Sequence, residues 1–149
     1  MALDKRQYRR QDPLLTQNFL VEIEGLVVGG FSEVTGLEIE IEVKPYREGG
    51  LNEYLHMRAG PTRYASNLIL KRGLTDAVTL WRWQRDVSRG IIGRKNGSIV
   101  LLDNAGDEKW RWNFIDAYPV RWTGPELLAG TAAVALESLE LAHRGLSSG

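Results

Sequence analysis

The fold class of this chain is decided by one stretch of its sequence, Leu37-Glu-Ile-Glu-Ile-Glu-Val-Lys-Pro-Tyr-Arg-Glu-Gly-Gly50. Apolar and charged residues alternate along its first half, which is the period of a β-strand with one buried and one solvated face. The apolar set is Leu37, Ile39, Ile41 and Val43, and the solvated set includes the carboxylates of Glu38, Glu40 and Glu42. Pro45 then removes a backbone donor, and Gly49-Gly50 let the chain enter a loop. The stretch predicts a long amphipathic strand that leads into a flexible, charged arm.

The composition indicates a folded, soluble protein. The chain has 149 residues, 43% of them apolar and 26% charged, which is ordinary for one domain. Its 19 basic and 19 acidic residues cancel, which argues against the positive field of a dedicated nucleic-acid-binding protein. No run approaches about eighteen apolar residues, and the basic N-terminal segment does not resemble a secretory signal. Cysteine is absent, which is compatible with a reducing compartment. We therefore expect a single domain over residues 1–149 that is made in the cytoplasm without a signal peptide.

The neutral total hides three charged blocks. Residues 5–10 are strongly basic, residues 33–48 contain five glutamates, and residues 71–95 contain seven basic residues. Blocks of opposite sign on one surface are what self-complementary docking would use, but ordinary solvated surfaces carry the same pattern. Both interpretations stay open from the sequence.

Most of the remaining sequence also predicts β-strands. Alternation or short apolar runs mark strands at residues 19–24, 68–71, 98–102 and 110–115. Between them, Asn96-Gly97 and Asp103-Asn-Ala-Gly-Asp107 predict tight turns. Pro119 and Thr123-Gly124-Pro125 predict the end of the last strand. No internal repeat or linker divides the chain, so one domain remains the expectation.

One helix is predicted among the strands, at about residues 75–89. Thr75 is a suitable N-cap, Asp76 places a carboxylate in the first turn, and Gly90 predicts the stop. Apolar side chains cover roughly 220° of this helix, more than the stripe of about 100° that a surface helix needs. Trp83 lies at one margin of that arc, so it is either covered by its own domain or packed on something beyond it.

The C-terminal stretch from Thr131 to Ala142 is ambiguous from its residues. Its content of Ala, Leu and Glu favours a helix by propensity. An alternating pattern also fits, with Ala133, Ala135, Leu139 and Leu141 on one face, but Glu137 interrupts it. Propensity alone makes a helix the prediction here.

The sequence lacks recognisable catalytic or metal-binding motifs. His56 and His143 lie in opposite halves of the chain, without cysteine or the spacing of a zinc site. No Gly-x-Ser-x-Gly motif is present, which argues against a serine nucleophile. Residues 90–98 superficially resemble a phosphate-binding loop, but their spacing is wrong and they precede a strand. We predict no enzymatic activity, no cofactor and no metal.

Eight short segments in order carry a resemblance to a known family. They are Asp12–Leu20, Gly30–Gly36, Tyr46–Gly50, Leu70–Thr75, Leu80–Trp83, Ser98–Asp103, Tyr118–Pro125 and Glu137–His143. Through them the chain closely resembles the tail tube proteins of contractile phage tails and of phage-derived contractile injection systems. The resemblance extends over nearly the whole chain.

The resemblance implies a mainly β fold of two packed antiparallel sheets in a β-barrel, with one flanking α-helix at about 75–89. An N-terminal arm at residues 1–15 would precede a barrel core at residues 16–145. In that fold residues 131–143 form a strand, so the resemblance overrules the helix that propensity favours.

The resemblance also implies a mechanical function. Six copies would close into a ring whose inner sheets join, and rings would stack into a hollow tube. Contraction of a surrounding sheath would drive the tube through a target envelope, with DNA or effector protein as cargo in the lumen. The implied partners are further copies of the chain, a sheath protein, and baseplate and terminator or cap proteins. The tube would end in a virion tail or injection particle, without integral membrane association.

Three sets of residues are implied to form contacts in this assembly. An extended inter-subunit or inter-ring loop at about residues 46–61 includes Tyr46, Arg47, Glu48, Gly49, Gly50, Leu51, Asn52, Glu53, Tyr54, Leu55 and Gly60. Glu38, Glu40 and Glu42 would face the lumen or a wet interface, and Trp83 would contact a neighbour through the helix.

Two alternatives remain. An enzyme or small-ligand barrel would need a deep apolar pocket with titratable groups of displaced pKa. The related tube component of type VI secretion is also a tube-former, with different sequence markers. The sequence does not choose between a phage and an injection system.

Overall fold

The computed structural model describes residues 18–24, 26–28, 31–46, 56–74 and 78–149 of the chain. These residues are mainly β, with ten strands and one helix. The strands are β1 (Phe19–Ile23), β2 (Leu26–Val28), β3 (Phe31–Thr35), β4 (Glu40–Tyr46), β5 (His56–Arg63), β6 (Leu68–Gly73), β7 (Lys95–Leu102), β8 (Glu108–Thr123), β9 (Leu136–Ala142) and β10 (Gly145–Ser148). The helix, α1, spans Thr79–Ser88. The prediction of a mainly β protein with one helix is confirmed.

Eight strands form one connected antiparallel sheet that divides at its longest strand, β8. The order is β2-β1-β7-β8-β9-β6-β3, with β10 paired to β8. Residues 108–117 of β8 pair with β7, and residues 118–123 pair with β9. Strand β8 therefore belongs to both a five-stranded sheet, β2-β1-β7-β8-β10, and a four-stranded sheet, β3-β6-β9-β8. Near the junction, Asp116 adopts a positive φ of 49°.

The core contains side chains from both sheets and from α1. Its buried members are Val21, Ile23, Leu68, Leu70, Leu80, Trp83, Ile99, Phe114, Ala117, Leu139 and Leu141. The two sheets are therefore packed on each other, as predicted, although they do not close into a barrel.

Phe114 is a large, fully buried member of this core, and it explains a glycine in the neighbouring strand. A Cβ atom added to Gly97 would lie 2.3 Å from Cζ of Phe114 and 2.5 Å from the carbonyl oxygen of Glu22. Asn96 and Gly97 lie inside β7, where Gly97 pairs with Ile23, so the predicted tight turn at this dipeptide is wrong. The glycine is required by close packing rather than by a turn.

A second predicted break is also part of a strand. Pro119 is fully buried in β8, which continues to Thr123, so the predicted strand end at Pro119 is wrong. The pairing of β8 with β9 shifts register just after this proline, which is the setting in which a sheet tolerates one. The predicted end at Thr123-Gly124-Pro125 is confirmed.

The turn between β7 and β8 is confirmed. One carboxylate oxygen of Asp103, Oδ1, accepts hydrogen bonds from the amides of Ala105 at 2.9 Å and Asp107 at 2.8 Å. Gly106 follows with a φ of +85°, a conformation that favours glycine. This arrangement reverses the chain between two central strands.

Strands β4 and β5 form a separate two-stranded ribbon, the β4–β5 hairpin. They pair with each other from Glu40 opposite Arg63 to Tyr46 opposite His56 and, in the described residues, with no other strand. The apolar side chains that were predicted to be buried are exposed, with 37% for Leu37, 58% for Ile39, 55% for Ile41 and 53% for Val43. The predicted strand is confirmed, but the predicted burial of its apolar face is wrong for a single subunit because none of the described elements lies behind the ribbon.

Helix α1 begins later than predicted. Its N-cap is Val78, without a side-chain cap, so the predicted N-cap at Thr75 is wrong. Thr75 and Asp76 themselves lie outside the described residues. The predicted stop is confirmed by Gly90, which has a φ of +87° just after the helix. Within the described residues, no helix is long and apolar enough to span a membrane.

The C-terminal region is a strand rather than a helix. Strand β9 pairs with β6 on one side and β8 on the other, so tertiary pairing overrides the helical propensity of this stretch. The strand is shorter than residues 131–143, because residues 131–135 have no regular structure. Strand β10 follows and pairs with β8, although the sequence contained no clear signal for it.

Candidate assembly surfaces

The β4–β5 hairpin presents an apolar face that has no cover in the described part of the chain. Ile39, Ile41 and Val43 are more than half exposed, and Met57 on β5 is 69% exposed. Pro45 is paired with Met57 and Val43 with Ala59, so these residues share one face. A lone two-stranded hairpin is marginally stable in water, and a contiguous exposed apolar patch usually marks an interaction site.

The opposite face of the hairpin is charged. Glu40 lies opposite Arg63, and Lys44 lies opposite Arg58. The ribbon is therefore amphipathic, with one face suited to water and one suited to contact with another surface.

The predicted loop at residues 46–61 is in part this hairpin. Tyr46 ends β4 and Gly60 lies within β5, so the prediction that these two residues belong to a loop is wrong. The other predicted loop residues, Arg47, Glu48, Gly49, Gly50, Leu51, Asn52, Glu53, Tyr54 and Leu55, lie outside the described residues. A Cβ atom on Gly60 would lie 2.6 Å from the carbonyl oxygen of Glu42, so this glycine permits a close approach of the two strands.

The three carboxylates of the opening stretch lie outside the core. Glu38 and Glu40 are exposed, and Glu42 is half-buried. One carboxylate oxygen of Glu38, Oε2, accepts a hydrogen bond of 2.6 Å from the hydroxyl of Ser66. Whether these side chains face a lumen or a wet interface stays a prediction.

Helix α1 exposes a different tryptophan from the one that the sequence singled out. Trp83 is only 8% exposed, and its indole nitrogen donates a hydrogen bond of 3.0 Å to the carbonyl oxygen of Gly93. Trp83 is thus covered by its own domain. Trp81 is 45% exposed and packs edge-on against Trp122, with 4.9 Å between ring centroids. Of these two side chains, Trp81 has the larger surface available to a neighbour.

A second exposed apolar surface lies in the connection between β8 and β9. Leu127, Leu128 and Val134 are 83%, 63% and 78% exposed. This connection and the adjoining ends of β8 and β9 line a cavity of about 750 Å³ that is open to solvent. The sequence analysis did not predict this surface. Three aliphatic side chains in a region rich in turn residues could have indicated it.

The groups with clearly displaced pKa values lie away from this cavity. Hydrogen bonds from the amides of Asp107 and Ala105 lower the pKa of the Asp103 carboxyl, while desolvation opposes them. Hydrogen bonds to Glu22 and then to Glu108 raise the pKa of the Arg111 guanidinium. Burial lowers the pKa of the His143 imidazole, which packs edge-on against Tyr64. In the described residues these groups do not converge on a pocket, and no cluster of three metal-ligating side chains is present.

A buried ion pair in the four-stranded sheet was also missed. Nε of Arg72 lies 2.5 Å from Oε1 of Glu137, with the two side chains 6% and 2% exposed. The indole nitrogen of Trp122 donates a 3.1 Å hydrogen bond to the other carboxylate oxygen. The sequence did contain a signal for a buried arginine, because Arg72 lies two residues after Leu70 and four after Leu68, on the face of β6 that points into the core. Recognising it required the register that places Arg72 opposite Glu137.

Comparison with known protein families identifies the family of the protein that carries these surfaces. Residues 15–147 match the model of the family described as T4-like virus tail tube protein gp19. This chain belongs to that tail tube family. The amphipathic ribbon and the exposed apolar segments are therefore features of a structural tube protein. No curated protein is similar enough to the chain to count as a relative.

Solved structures of contractile injection systems contain chains with the same fold. A chain of the anti-feeding prophage (AFP) baseplate is 27% identical, with a TM-score of 0.81 over 93% of this tube protein and 97% of that chain. A chain of the PVC sheath–tube complex in the extended state is 22% identical, with a TM-score of 0.83 over 99% of both chains. A chain of the AFP tube-terminating cap is 23% identical, with a TM-score of 0.87 over 100% and 99% of the two chains. The PVC chain and the chain of the AFP cap, both less than 25% identical, show that the fold is shared with this protein.

Proposed function

We propose that this tail tube protein assembles into six-membered rings that stack into the hollow inner tube of a contractile particle. The observation that carries the proposal is the β4–β5 hairpin, whose apolar face is more than half exposed at Ile41 and Val43, as is Ile39 just before β4. Such a face requires a partner in solution, and in a self-assembling protein the partner is another copy. Six-fold symmetry is supported by the symmetry of the AFP baseplate that contains a similar chain.

The finer contacts of the tube follow from the same surface. The hairpin and residues 47–55, which follow β4 in the sequence, reach an adjacent subunit or ring, and the N-terminal arm at residues 1–15 contributes to stacking. At least one of Glu38, Glu40 and Glu42 faces the channel or a wet interface, because adjacent carboxylates are costly to bury without partners. An acidic channel wall would repel the phosphates of DNA and ease its passage.

The partners of the tube are a sheath, a baseplate and a terminator or cap. Similar chains lie in complexes described as baseplate, sheath–tube complex and tube-terminating cap, which supports this assignment. The cargo is DNA or an effector protein, and the assembled tube resides in a virion tail or injection particle. The protein performs no catalysis in this role.

Electron microscopy and native mass spectrometry test the proposal. We expect the purified protein to give rings in negative-stain images and a mass of six chains, and to give tubes at higher concentration or with baseplate present. A protein that stays monomeric at high concentration, even with sheath and baseplate proteins present, would overturn it. Discovery of a small-molecule substrate for that monomer would favour the enzyme alternative.

A further inference from the structure

The β4–β5 hairpin is joined covalently to the rest of the subunit by two short connecting segments. Residues 36–39 lead from β3 into β4, and residues 64–67 lead from β5 into β6. These two segments form the hairpin root. In the described residues, β4 and β5 pair with each other and with no other strand. The direction in which the hairpin points is therefore set by the packing of its root.

The two segments of the hairpin root are held against each other. A Cβ atom on Gly36 would lie 2.0 Å from the carbonyl oxygen of Asn67, so the crossing of the segments requires a glycine. The φ of Gly36, +94°, also favours glycine. Across the same gap, the hydroxyl of Ser66 donates its hydrogen bond of 2.6 Å to Glu38. These contacts make the root one compact unit.

His143, which follows β9, packs against this unit. Its ring contacts the ring of Tyr64 edge-on, with 5.4 Å between centroids and 61° between planes. The hydroxyl oxygen of Tyr64 lies 3.6 Å from the position that a Cβ atom would take on Gly145. Gly145 begins β10 and pairs with Ile115 of β8. Tyr64 therefore attaches the hairpin root to the connection between β9 and β10.

The imidazole of His143 suits this contact only while it is neutral. Both of its ring nitrogens are buried, and neither makes a hydrogen bond with the described residues. A second proton would add a positive charge to a buried ring and a donor without a partner, which costs free energy. The nearby backbone of Gly145 and Ser66 offsets part of this cost, but the net result is a lowered pKa of His143.

The charged groups of the surrounding segments do not supply the missing partner. Arg144, the next residue, is paired with Asp116 of β8 at 3.3 Å. Glu38 accepts the hydrogen bond within the root. The phenol of Tyr64 is uncharged below about pH 10. Within the part of the chain that the structure describes, no carboxylate is hydrogen-bonded to His143.

We propose that Tyr64 and His143 are positioning residues for assembly, whose contact fixes the direction of the hairpin until a proton on His143 releases it. This clamp rests on the proposed ring, and it adds the residues that orient the contact surface and a dependence on pH. Strand β4 has 7 residues. It is about 23 Å long, so a rotation of about 10° at the root would move its far end by about 4 Å. An interface packed as densely as a protein interior does not tolerate such a displacement.

Release of the clamp should follow the titration of a solvated histidine. In the released state the imidazole binds its proton near the ordinary pKa of 6.5, whereas in the clamped state it does so only at lower pH. The clamp is therefore at full strength above about pH 6.5. Each further unit of acid shifts the equilibrium toward the released state by up to about tenfold. Carboxylates with ordinary pKa values near 4 stay ionised down to about pH 5.

Distances between two spin labels test the clamp in the monomer. The chain contains no cysteine, so Met57→Cys on the hairpin and Thr123→Cys at the end of β8 provide two labelling sites, both exposed. At a concentration where sedimentation shows monomers, we expect a narrow distance distribution at about pH 7.5 and a broader or displaced one at about pH 5. His143→Phe keeps an aromatic ring on Tyr64 and should give the narrow distribution at both values. His143→Gln, which also cannot titrate, is the second variant if the phenylalanine is not accommodated.

Sedimentation velocity at the same two pH values tests the consequence for assembly. We expect the fraction of unmutated protein in rings to fall between about pH 7.5 and about pH 5, and that of His143→Phe to stay constant. The matched control is His56→Gln, which removes the other of the two histidines and should retain the acid response. Tyr64→Ala, which removes the ring contact, should lower the fraction in rings at both pH values.

The clamp is overturned if the labelled protein with His143 intact gives the same distance distribution at both pH values. It is equally overturned if the non-titrating variants of His143 respond to acid as the unmutated protein does, or if His56→Gln abolishes the response. Absence of rings from the unmutated protein at about pH 7.5 would instead overturn the proposed function. The distance measurement on the monomer would still decide whether the clamp exists.

Discussion

The four-stranded sheet and the β4–β5 hairpin both place apolar side chains at alternate positions of a strand, but these side chains have opposite surroundings. In β6, Leu68 and Leu70 are fully buried beneath the second sheet and α1. In β4, Ile41 and Val43 are more than half exposed. The comparison teaches that one subunit buries its own core but leaves the apolar face of the hairpin uncovered within the described residues. Substitutions in the two regions should therefore affect different properties: stability in the sheet and association in the hairpin.

The largest effect is expected from breaking the buried ion pair of the sheet. Glu137→Ala leaves the guanidinium of Arg72 buried without its carboxylate, which should lower the free energy of unfolding by about 3–5 kcal/mol. Urea unfolding at a concentration where sedimentation shows monomers measures this loss.

The matched control for this substitution is Glu140→Ala on the same strand. The partner of Glu140 is Arg121, whose side chain is 75% exposed, so the loss should be at most about 1 kcal/mol. The double variant Arg72→Met/Glu137→Leu should recover much of the stability by removing both charges. Equal losses for Glu137→Ala and Glu140→Ala would contradict the assignment of a buried pair.

The next effect is expected at the close packing of β7 on β8. Gly97→Ala forces a methyl group against the ring of Phe114 and the backbone of Glu22, and should cost about 1–3 kcal/mol of unfolding free energy. Gly93→Ala is the control, since a Cβ atom there has no neighbour within 4 Å and should be neutral or slightly stabilising. Thermal unfolding of both variants distinguishes the positions, and a neutral Gly97→Ala would show that the strands adjust easily.

Substitution of the hairpin should change the stability of the monomer little and its association strongly. The double variant Ile41→Thr/Val43→Thr retains β-branched residues, so the monomer should lose less than about 0.5 kcal/mol of unfolding free energy. The fraction of protein in rings, measured by sedimentation velocity, should nevertheless fall.

The control for the hairpin lies in the core. Ile99 is 2% exposed, and Ile99→Thr should cost about 2 kcal/mol because it removes buried methyl surface and buries a hydroxyl. If Ile41→Thr/Val43→Thr unfolds the monomer as strongly as Ile99→Thr does, the hairpin is part of the subunit core and the comparison fails.

A smaller effect is expected from pH at His143, which lies between β9 and β10. Its pKa is lowered by burial, while the nearby backbone of Gly145 and Ser66 opposes this shift. The unfolded chain therefore binds the proton at a higher pH than the folded chain. Stability should be at its full value above about pH 6.5, the ordinary pKa of histidine, and should decrease as the pH falls below that value.

The variant His143→Phe isolates this contribution. It keeps an aromatic ring near Tyr64 but cannot titrate, so the decrease in unfolding free energy below about pH 6.5 should be shallower than in the unmutated protein. Identical pH profiles for the two proteins would show that His143 is not the responsible group.

The candidate surfaces were predictable from the sequence only in part. Alternation located β4 and its three glutamates, and the order of eight short segments indicated the tail tube family. The exposure of Trp81 and of the leucines after β8 was not predicted. A helical wheel and the composition of a loop give no information about which other segments pack against these side chains.

The sequence by itself determined which segments alternate, where α1 stops at Gly90, and which family the chain belongs to. These properties depend on local periodicity, on the left-handed conformation that glycine tolerates, and on ordered motifs. Only the tertiary structure decided that the C-terminal stretch is a strand between β6 and β8, that Gly97 makes room for Phe114, and that Arg72 meets Glu137. The physical reason is that alternation specifies only the two faces of a strand. The neighbouring strands, the pairing register and the segments that bury one face are determined by residues far away in the chain.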